Sequence, residues 1–419
     1  MKKLFNNTTS SKYLSFTYIL AAMLMVASCH KDIETTDQSG KTPTGNFSQV
    51  FQDFWTQMNN SYVFWSIDTT NWDNVYAKYL PKFTSLNLYD STDNVTAYGY
   101  FKDMVDGLTD SHYTLFPNGR TIQPAHDRKL KNPQFVENLF GTAPYLPSVD
   151  GHFYYTNAID SLYLSEKMAG VDTTGDNKDM YAIAGIISNT NILYFSFSKF
   201  ALVSEYQGGS AQIKKVLDYF FNKLTSTTIT GLVIDVRGNG GGDIRDLNFL
   251  VGRLIATPLQ VGYTRSKSGT GRLDYTPWAP AIVTPVAGTT AFTKPIVVLA
   301  DGESVSMAEL TTMSLKRLSN TQVVGDTTWG ANGPLTDNSA FNAGSFNFGN
   351  VLTDISTGTT SYFGNAYTSS TMFKYIDDNI YEGKGFPPDY LVKQTPTTVF
   401  LRNNFVDDPQ LDKAISLMQ

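Results

Sequence analysis

Two junctions in the sequence carry residue types that support chemistry. The first is DVRGNGGGD (Asp235 to Asp243), where Gly238 and Gly240 to Gly242 follow the apolar run GLVIDV and precede a helical pattern. Glycine permits positive φ and close approach of backbone to ligand, and a helix start leaves N–H groups unpaired, so such a loop suits an anion or an oxyanion. A phosphate site would want a Walker lysine or G-x-G-x-x-G spacing, and neither is present; a tight structural turn is the alternative. The second junction, ADGESVSMAEL (Ala300 to Leu310), puts Ser304 and Ser306 on a turn into a helix. A serine there is exposed at the sheet's end, where the helix dipole favours developing negative charge. The alternative is capping, with Glu309 three residues after Ser306 completing a capping box. A nucleophilic serine also requires a base, because its hydroxyl is weak at neutral pH.

The elements that must position these residues follow from periodicity. Phe47, Val50, Phe51, Phe54, Trp55, Met58 and Tyr62 recur at helical spacing, predicting an amphipathic helix. Further helices are expected at Trp72 to Leu80, stopped by Pro81, and at about Asp93 to Leu108, so residues 47–114 read as a small helical N-terminal domain with its aromatics in the core. Residues 115–187 read as a variable insert with strands at His152 to Thr156 and Tyr181 to Ile187. From 188 to 419 the pattern is strand, tight loop, helix, repeated: strands at Asn191 to Phe197, Gly231 to Val236, Pro295 to Ala300 and Gln322 to Gly325, and helices carrying Ile213 to Leu224, Leu247 to Leu254 and Met307 to Leu318. That is an α/β core with buried strands.

Composition agrees. Of 419 residues, 41% are hydrophobic, 13% aromatic and 17% charged, which excludes disorder for the bulk of the chain. The net charge of −6, with no long run of either sign, argues against nucleic acid as a partner. The single cysteine, Cys29, excludes an intramolecular disulfide and a thiolate metal cluster. It closes the segment 1–28, in which Lys2, Lys3 and Lys12 precede the apolar run Tyr13 to Ala27 and the box Val26-Ala27-Ser28-Cys29. This is a secretory signal, too short to span a bilayer comfortably. The box resembles the lipobox of bacterial lipoproteins, which implies a lipid on Cys29, attachment to the outer membrane of the cell envelope, and membrane contact only through that lipid. Residues 29–46 read as a flexible tether.

GLVIDVRGNGGG, PIVVLADGESVSMAEL, VVGDTTWG and EGKGFPPD, in that order over about residues 190 to 395, resemble the core of the tail-specific (C-terminal-processing) and tricorn-type serine peptidases. The resemblance implies a ClpP/crotonase-like spiral core, a peptide or unfolded protein as substrate, no metal or organic cofactor, and Ser306 as nucleophile. Tail-specific members place a lysine base 25 positions after the serine; here that position is Ala331. The tricorn-type branch instead uses a His after the helical domain, matched by His112 in LTDSHYTLF, and a Glu near the chain's end, matched by Glu382; Ser111 matches a serine that orients catalytic groups in some relatives. His30, His126 and His152 match no such motif. The amides of Gly241 and Met307 are the expected oxyanion hole. The PDZ signal common in the family is absent from residues 120–187. A second expectation stays open beside the endopeptidase: a catalytically silent binding protein that keeps the cleft to hold peptide or another ligand.

Overall fold

The computed structural model describes residues 45–123, 162–173, 180–335, 344–353, 360–393 and 408–419. Cys29, the tether before residue 45, His126 and the strand expected at His152 to Thr156 lie outside the described residues. Among those described, no helix is long and apolar enough to cross a membrane.

Helix α1 (Phe47–Ser61) starts at Asn46, whose Oδ1 accepts the Gln49 N–H at 3.0 Å while Gln49 Oε1 accepts the Asn46 N–H at 3.3 Å, a reciprocal cap that satisfies two otherwise unpaired donors. Its apolar stripe, Phe47, Val50, Phe51, Phe54 and Met58, is fully buried. Helix α2 (Trp72–Thr84) runs through Pro81, contrary to the expected stop. The proline removes one hydrogen bond in the closing turns, while Phe83 beyond it is fully buried and stacks on Phe51 at 5.0 Å, which keeps the last turn helical. Helix α3 (Ser91–Val105) and strand β1 (Thr114–Pro117) follow.

The chain continues through β2 (Leu164–Val171), β3 (Tyr181–Ile187), β4 (Ile192–Phe197), α4 (Leu202–Gly208), α5 (Ala211–Leu224), β5 (Gly231–Asp235) and α6 (Arg245–Leu250). Then come β6 (Leu259–Ser266), β7 (Ala279–Val283), β8 (Ile296–Ala300), α7 (Met307–Lys316) and β9 (Thr321–Gly325). The last are β10 (Ser345–Thr353), β11 (Thr360–Tyr367), β12 (Thr371–Tyr375), β13 (Tyr390–Leu391) and α8 (Pro409–Ser416).

A seven-stranded sheet runs in the order β13-β9-β8-β5-β4-β3-β2. Its β13, β9, β8, β5 and β4 are parallel, and β3 and β2 extend it antiparallel. Part of the stretch read as an insert is thus sheet: β3 reads YAIAGII and is largely buried, so it pairs with β4. The all-buried strands β4, β5 and β8 match their continuous apolar runs. Helix α5 packs Ile213, Val216, Leu217 and Phe220 on the sheet, with Phe220 stacked on Phe195 at 4.2 Å. Two three-stranded sheets, β1-β11-β10 and β12-β6-β7, complete the mixed α/β fold. Phe346, Phe348 and Phe363, from β10 and β11, enter the same aromatic cluster as α1 to α3. The N-terminal helices therefore share their core with strands more than 200 positions downstream.

The arginine of the glycine loop is structural. Arg237 is 4% exposed; it bonds Asp235 through Nε (2.9 Å) and Nη2 (2.6 Å) and Asp408, the cap of α8, through Nη1 (3.0 Å) and Nη2 (2.8 Å). Breaking a buried pair strands a charge at a cost of about 3–5 kcal/mol. Asp408→Ala is expected to lower stability by that order in urea melts; a loss under about 1 kcal/mol would show that the pair is not a clamp.

Candidate active site

Strands β5 and β8 are neighbours in parallel register, with Asp235 opposite Leu299, so the glycine loop and the serine turn leave the same carboxyl edge side by side. Ligands gather at such edges in parallel sheets. Ser306 sits there half-exposed at the start of α7, with φ 58° and ψ −113°. Positive φ in a residue with a side chain is strained by about 1–3 kcal/mol and persists only where neighbours impose it. One of them is Gly241: a Cβ on it would lie 2.7 Å from Ser306 Cβ and 3.0 Å from the Met307 nitrogen. Another is Glu309, which closes the capping box expected as the alternative and whose Oε2 accepts the Ser306 N–H at 3.1 Å. Ser304 is structural, since its Oγ donates to the Val236 carbonyl at 2.8 Å.

The expected oxyanion donor Gly241 needs correction. Its N–H donates to Asn239 Oδ1 at 2.9 Å, because the asparagine side chain folds back on the loop in a tight turn. That donor is committed. Among the described residues, the loop amides Gly240 and Gly242 and the Met307 N–H beside Gly241 are the donors left to receive an anion.

On the other side of the site, the turn between α3 and β1 carries Asp110, Ser111 and His112. Helix α1 and the segment after it hold this turn through Tyr62 and Asp68: the phenol accepts the Thr109 and Asp110 N–H groups at 3.0 and 3.1 Å and donates to Asp68 Oδ2 at 2.7 Å. Ligand atoms of Asp110, His112 and Glu382 all lie within 4.8 Å of one another. Two carboxylates thus flank one imidazole, and counting acceptor sites, about four per carboxylate, separates them. Asp110 is saturated by Thr368 Oγ1 (2.5 Å), Ser369 N (2.7 Å), Ser369 Oγ (2.9 Å) and His112 N (2.9 Å). Glu382 accepts Ser111 N (2.9 Å) on Oε1, and Asn332 N (2.9 Å) and Gly333 N (2.7 Å) on Oε2. One acceptor site remains, on Glu382 Oε1. The matching donor is His112 Nδ1, a buried nitrogen without a partner among the described residues. The trio resembles a metal-ligand set by type, yet an ion there would have to displace N–H and O–H donors already in place.

Glu309 and Glu382 together hold one backbone strap. Glu309 Oε1 accepts Gly330 N (2.7 Å) and its Oε2 accepts Ala331 N (2.6 Å); Glu382 takes the next two amides, Asn332 and Gly333. Ala331, at the position of the tail-specific lysine, is fully buried. The strap joins the serine turn to the carboxylate beside His112. Among the described residues no hydrogen bond joins Ser306 to His112 or His112 to Glu382, and catalytic contacts of this kind often close only around substrate. Ser111 contributes its backbone N–H to Glu382, while its Oγ is buried without a partner among the described residues.

Burial pushes the Glu382 carboxyl above the usual carboxylate range and Asp110's charge adds to the rise, while the amides of Ser111, Asn332 and Gly333, all donating to it, favour the ionised form that orients an imidazolium. Burial pulls the His112 imidazole below 6.5, against an upward pull from Asp110. Its neutral form therefore dominates at pH 7, as a general base requires. An NMR titration of the imidazole, assigned by its loss in His112→Gln, is expected to give a midpoint below 6.5. A midpoint at or above that value would contradict the burial seen here.

A strained serine at a strand-to-helix turn, a glycine loop packed on it, and a half-buried His near two carboxylates are parts that a serine-hydrolase type of site requires. Residues 191–392 match the family model of peptidase family S41, and the protein is a peptidase acting on peptide or protein. No curated protein matches the chain in sequence. Among solved structures, a candidate peptidase from Parabacteroides merdae ATCC 43184 has a TM-score of 0.61 at 19% identity, covering 89% of this chain and 96% of that one. Mature CPAF in complex with lactacystin has a TM-score of 0.52 at 11% identity, covering 89% and 97%. At these identities the likeness is one of fold.

Asn239, Glu309 as a strap anchor, and the Thr368 and Ser369 partners of Asp110 were not legible as site residues. Glu309 and Asn239 lie inside the two chemical motifs, which is a signal of a kind; Thr368 and Ser369 lie in a stretch with none.

Proposed function

We propose that the protein is a serine endopeptidase of the tricorn type, with Ser306 as nucleophile, His112 as base and Glu382 as the carboxylate that orients the imidazole. The observation that carries this reading is Ser306 itself, held at φ 58° against the glycine loop and left half-exposed at the carboxyl edge of the sheet. Ser306 Oγ attacks the peptide carbonyl while His112 takes its proton, and the carbonyl oxygen becomes an anion facing the Met307 N–H and a free amide of the Gly240–Gly242 loop. Collapse breaks the C–N bond, His112 returns the proton to the leaving amine, and water repeats the sequence on the acyl-enzyme. Glu382 Oε1, with its open acceptor site, accepts a hydrogen bond from the Nδ1–H of the imidazolium and stays ionised. The box at Cys29 supports lipid attachment and a place in the cell envelope as part of the same proposal. The test is labelling by a fluorophosphonate: the wild type should be modified on Ser306 and Ser306→Ala should not. Labelling retained in Ser306→Ala, or absent from the wild type, would sink the assignment.

A further inference from the structure

Asn239 is the point where the glycine loop, the serine turn and strand β4 are tied together. Its side chain is fully buried. Nδ2 donates to the Phe197 carbonyl at the end of β4 (2.7 Å), Oδ1 accepts the Gly241 N–H (2.9 Å), and its backbone carbonyl accepts the Val305 N–H (3.0 Å). Three segments are thereby fixed to one residue. Gly241, which that side chain holds, is the glycine on which Ser306 and Met307 pack. Taking up the Gly241 amide also settles which loop amides stay free.

From this geometry we infer that Asn239 is the positioning residue of the oxyanion hole, setting the loop amides against Ser306 without touching substrate itself. The inference rests on the serine-peptidase reading above. The side chain must donate at one end and accept at the other, because the Phe197 carbonyl is an acceptor and the Gly241 N–H a donor. A hydroxyl in place of the amide is too short to span both, and an ionised carboxylate faces the Phe197 carbonyl with a second acceptor.

Asn239→Asp provides a readout that a merely structural role would not move. Ionised, the new carboxylate repels the Phe197 carbonyl and displaces the loop; protonated, it donates to Phe197 and accepts from Gly241, restoring the asparagine pattern. The rate of fluorophosphonate labelling reads the hole directly, since the phosphoryl oxygen occupies it. At neutral pH the variant should label about 10- to 100-fold more slowly than wild type, part of the loss caused by removing a whole oxyanion donor. The variant-to-wild-type ratio should climb as pH falls. Asp301 (whose Oδ1 accepts the Gly238 N–H at 3.1 Å), Glu303 two residues on, Asp243 and the Asp235–Arg237–Asp408 cluster border the loop, and these groups and His112 are common to both proteins, so the ratio cancels their titration. Should Asn239→Asp fail to fold, Asn239→Ser is expected to show a comparable loss without recovery in acid. Wild-type labelling rates in a folded variant, or a deficit in Asn239→Asp that is the same at every pH, would overturn this assignment while leaving the peptidase reading intact. A wild type that does not label at all would overturn both.

Discussion

His112→Ala should lower turnover by on the order of 10⁴-fold or more, the scale seen when a member of a Ser-His-carboxylate set is removed, with residual activity from the oxyanion hole and binding. The imidazole is the described titratable group placed beside an orienting carboxylate with acceptor capacity to spare, and its neutral form is favoured by burial. No lysine occupies position 331 to take over. In the wild type, kcat/KM should rise with pH through a midpoint below 6.5, because proton acceptance needs the unprotonated ring and that ring is harder to protonate when buried. A lysine base would place the rise higher unless strongly perturbed from about 10.4. A folded His112→Ala protein that cleaves a peptide at the wild-type rate would remove His112 from the mechanism.

Glu382→Gln is the second large effect, with an expected loss of roughly 10² to 10⁴ in kcat. The charge matters most when the imidazole becomes a cation, so kcat should fall more than KM rises. The substitution also places an NH₂ group where backbone amides now donate to Oε1 and Oε2. Melting temperature must therefore be measured alongside. A folded variant with wild-type kcat would leave Ser306 and His112 without Glu382 as partner; if Asp110 then proved essential, the acceptor-site count would be mistaken.

The parallel core was readable because its strands are uninterrupted apolar runs and each ends in a glycine or serine turn. Tyr181 to Ile187 was placed correctly for the same reason. Strands β1, β2, β6, β7, β10, β11, β12 and β13 were missed: they lie in small sheets or at the edges of the large one and lack a long apolar run, and Gly and Asn interrupt the apolar residues of β10 and β11. The site was legible where local motifs carry it, at Ser306 and the glycine loop, and through resemblance at His112 and Glu382. What escaped was hydrogen-bond direction. Nothing in GNGGG says that the asparagine side chain consumes the Gly241 amide, and nothing in DSH says that Asp110 spends its acceptors on Thr368 and Ser369.

The aromatic core shared between α1–α3 and β10–β11 bears on when the site is assembled. The Ser111 amide and the Glu382 carboxylate it holds are separated by 271 positions, and the Asp110 anchors on Thr368 and Ser369 by 258 and 259. Contacts this distant close late, because the loop entropy must be met before they give anything back. A chain emerging from the ribosome carries its prospective base for most of its synthesis with neither the carboxylate to orient it nor the strands that wall its turn. The proposed site is therefore complete only once nearly all of the chain has been made and folded.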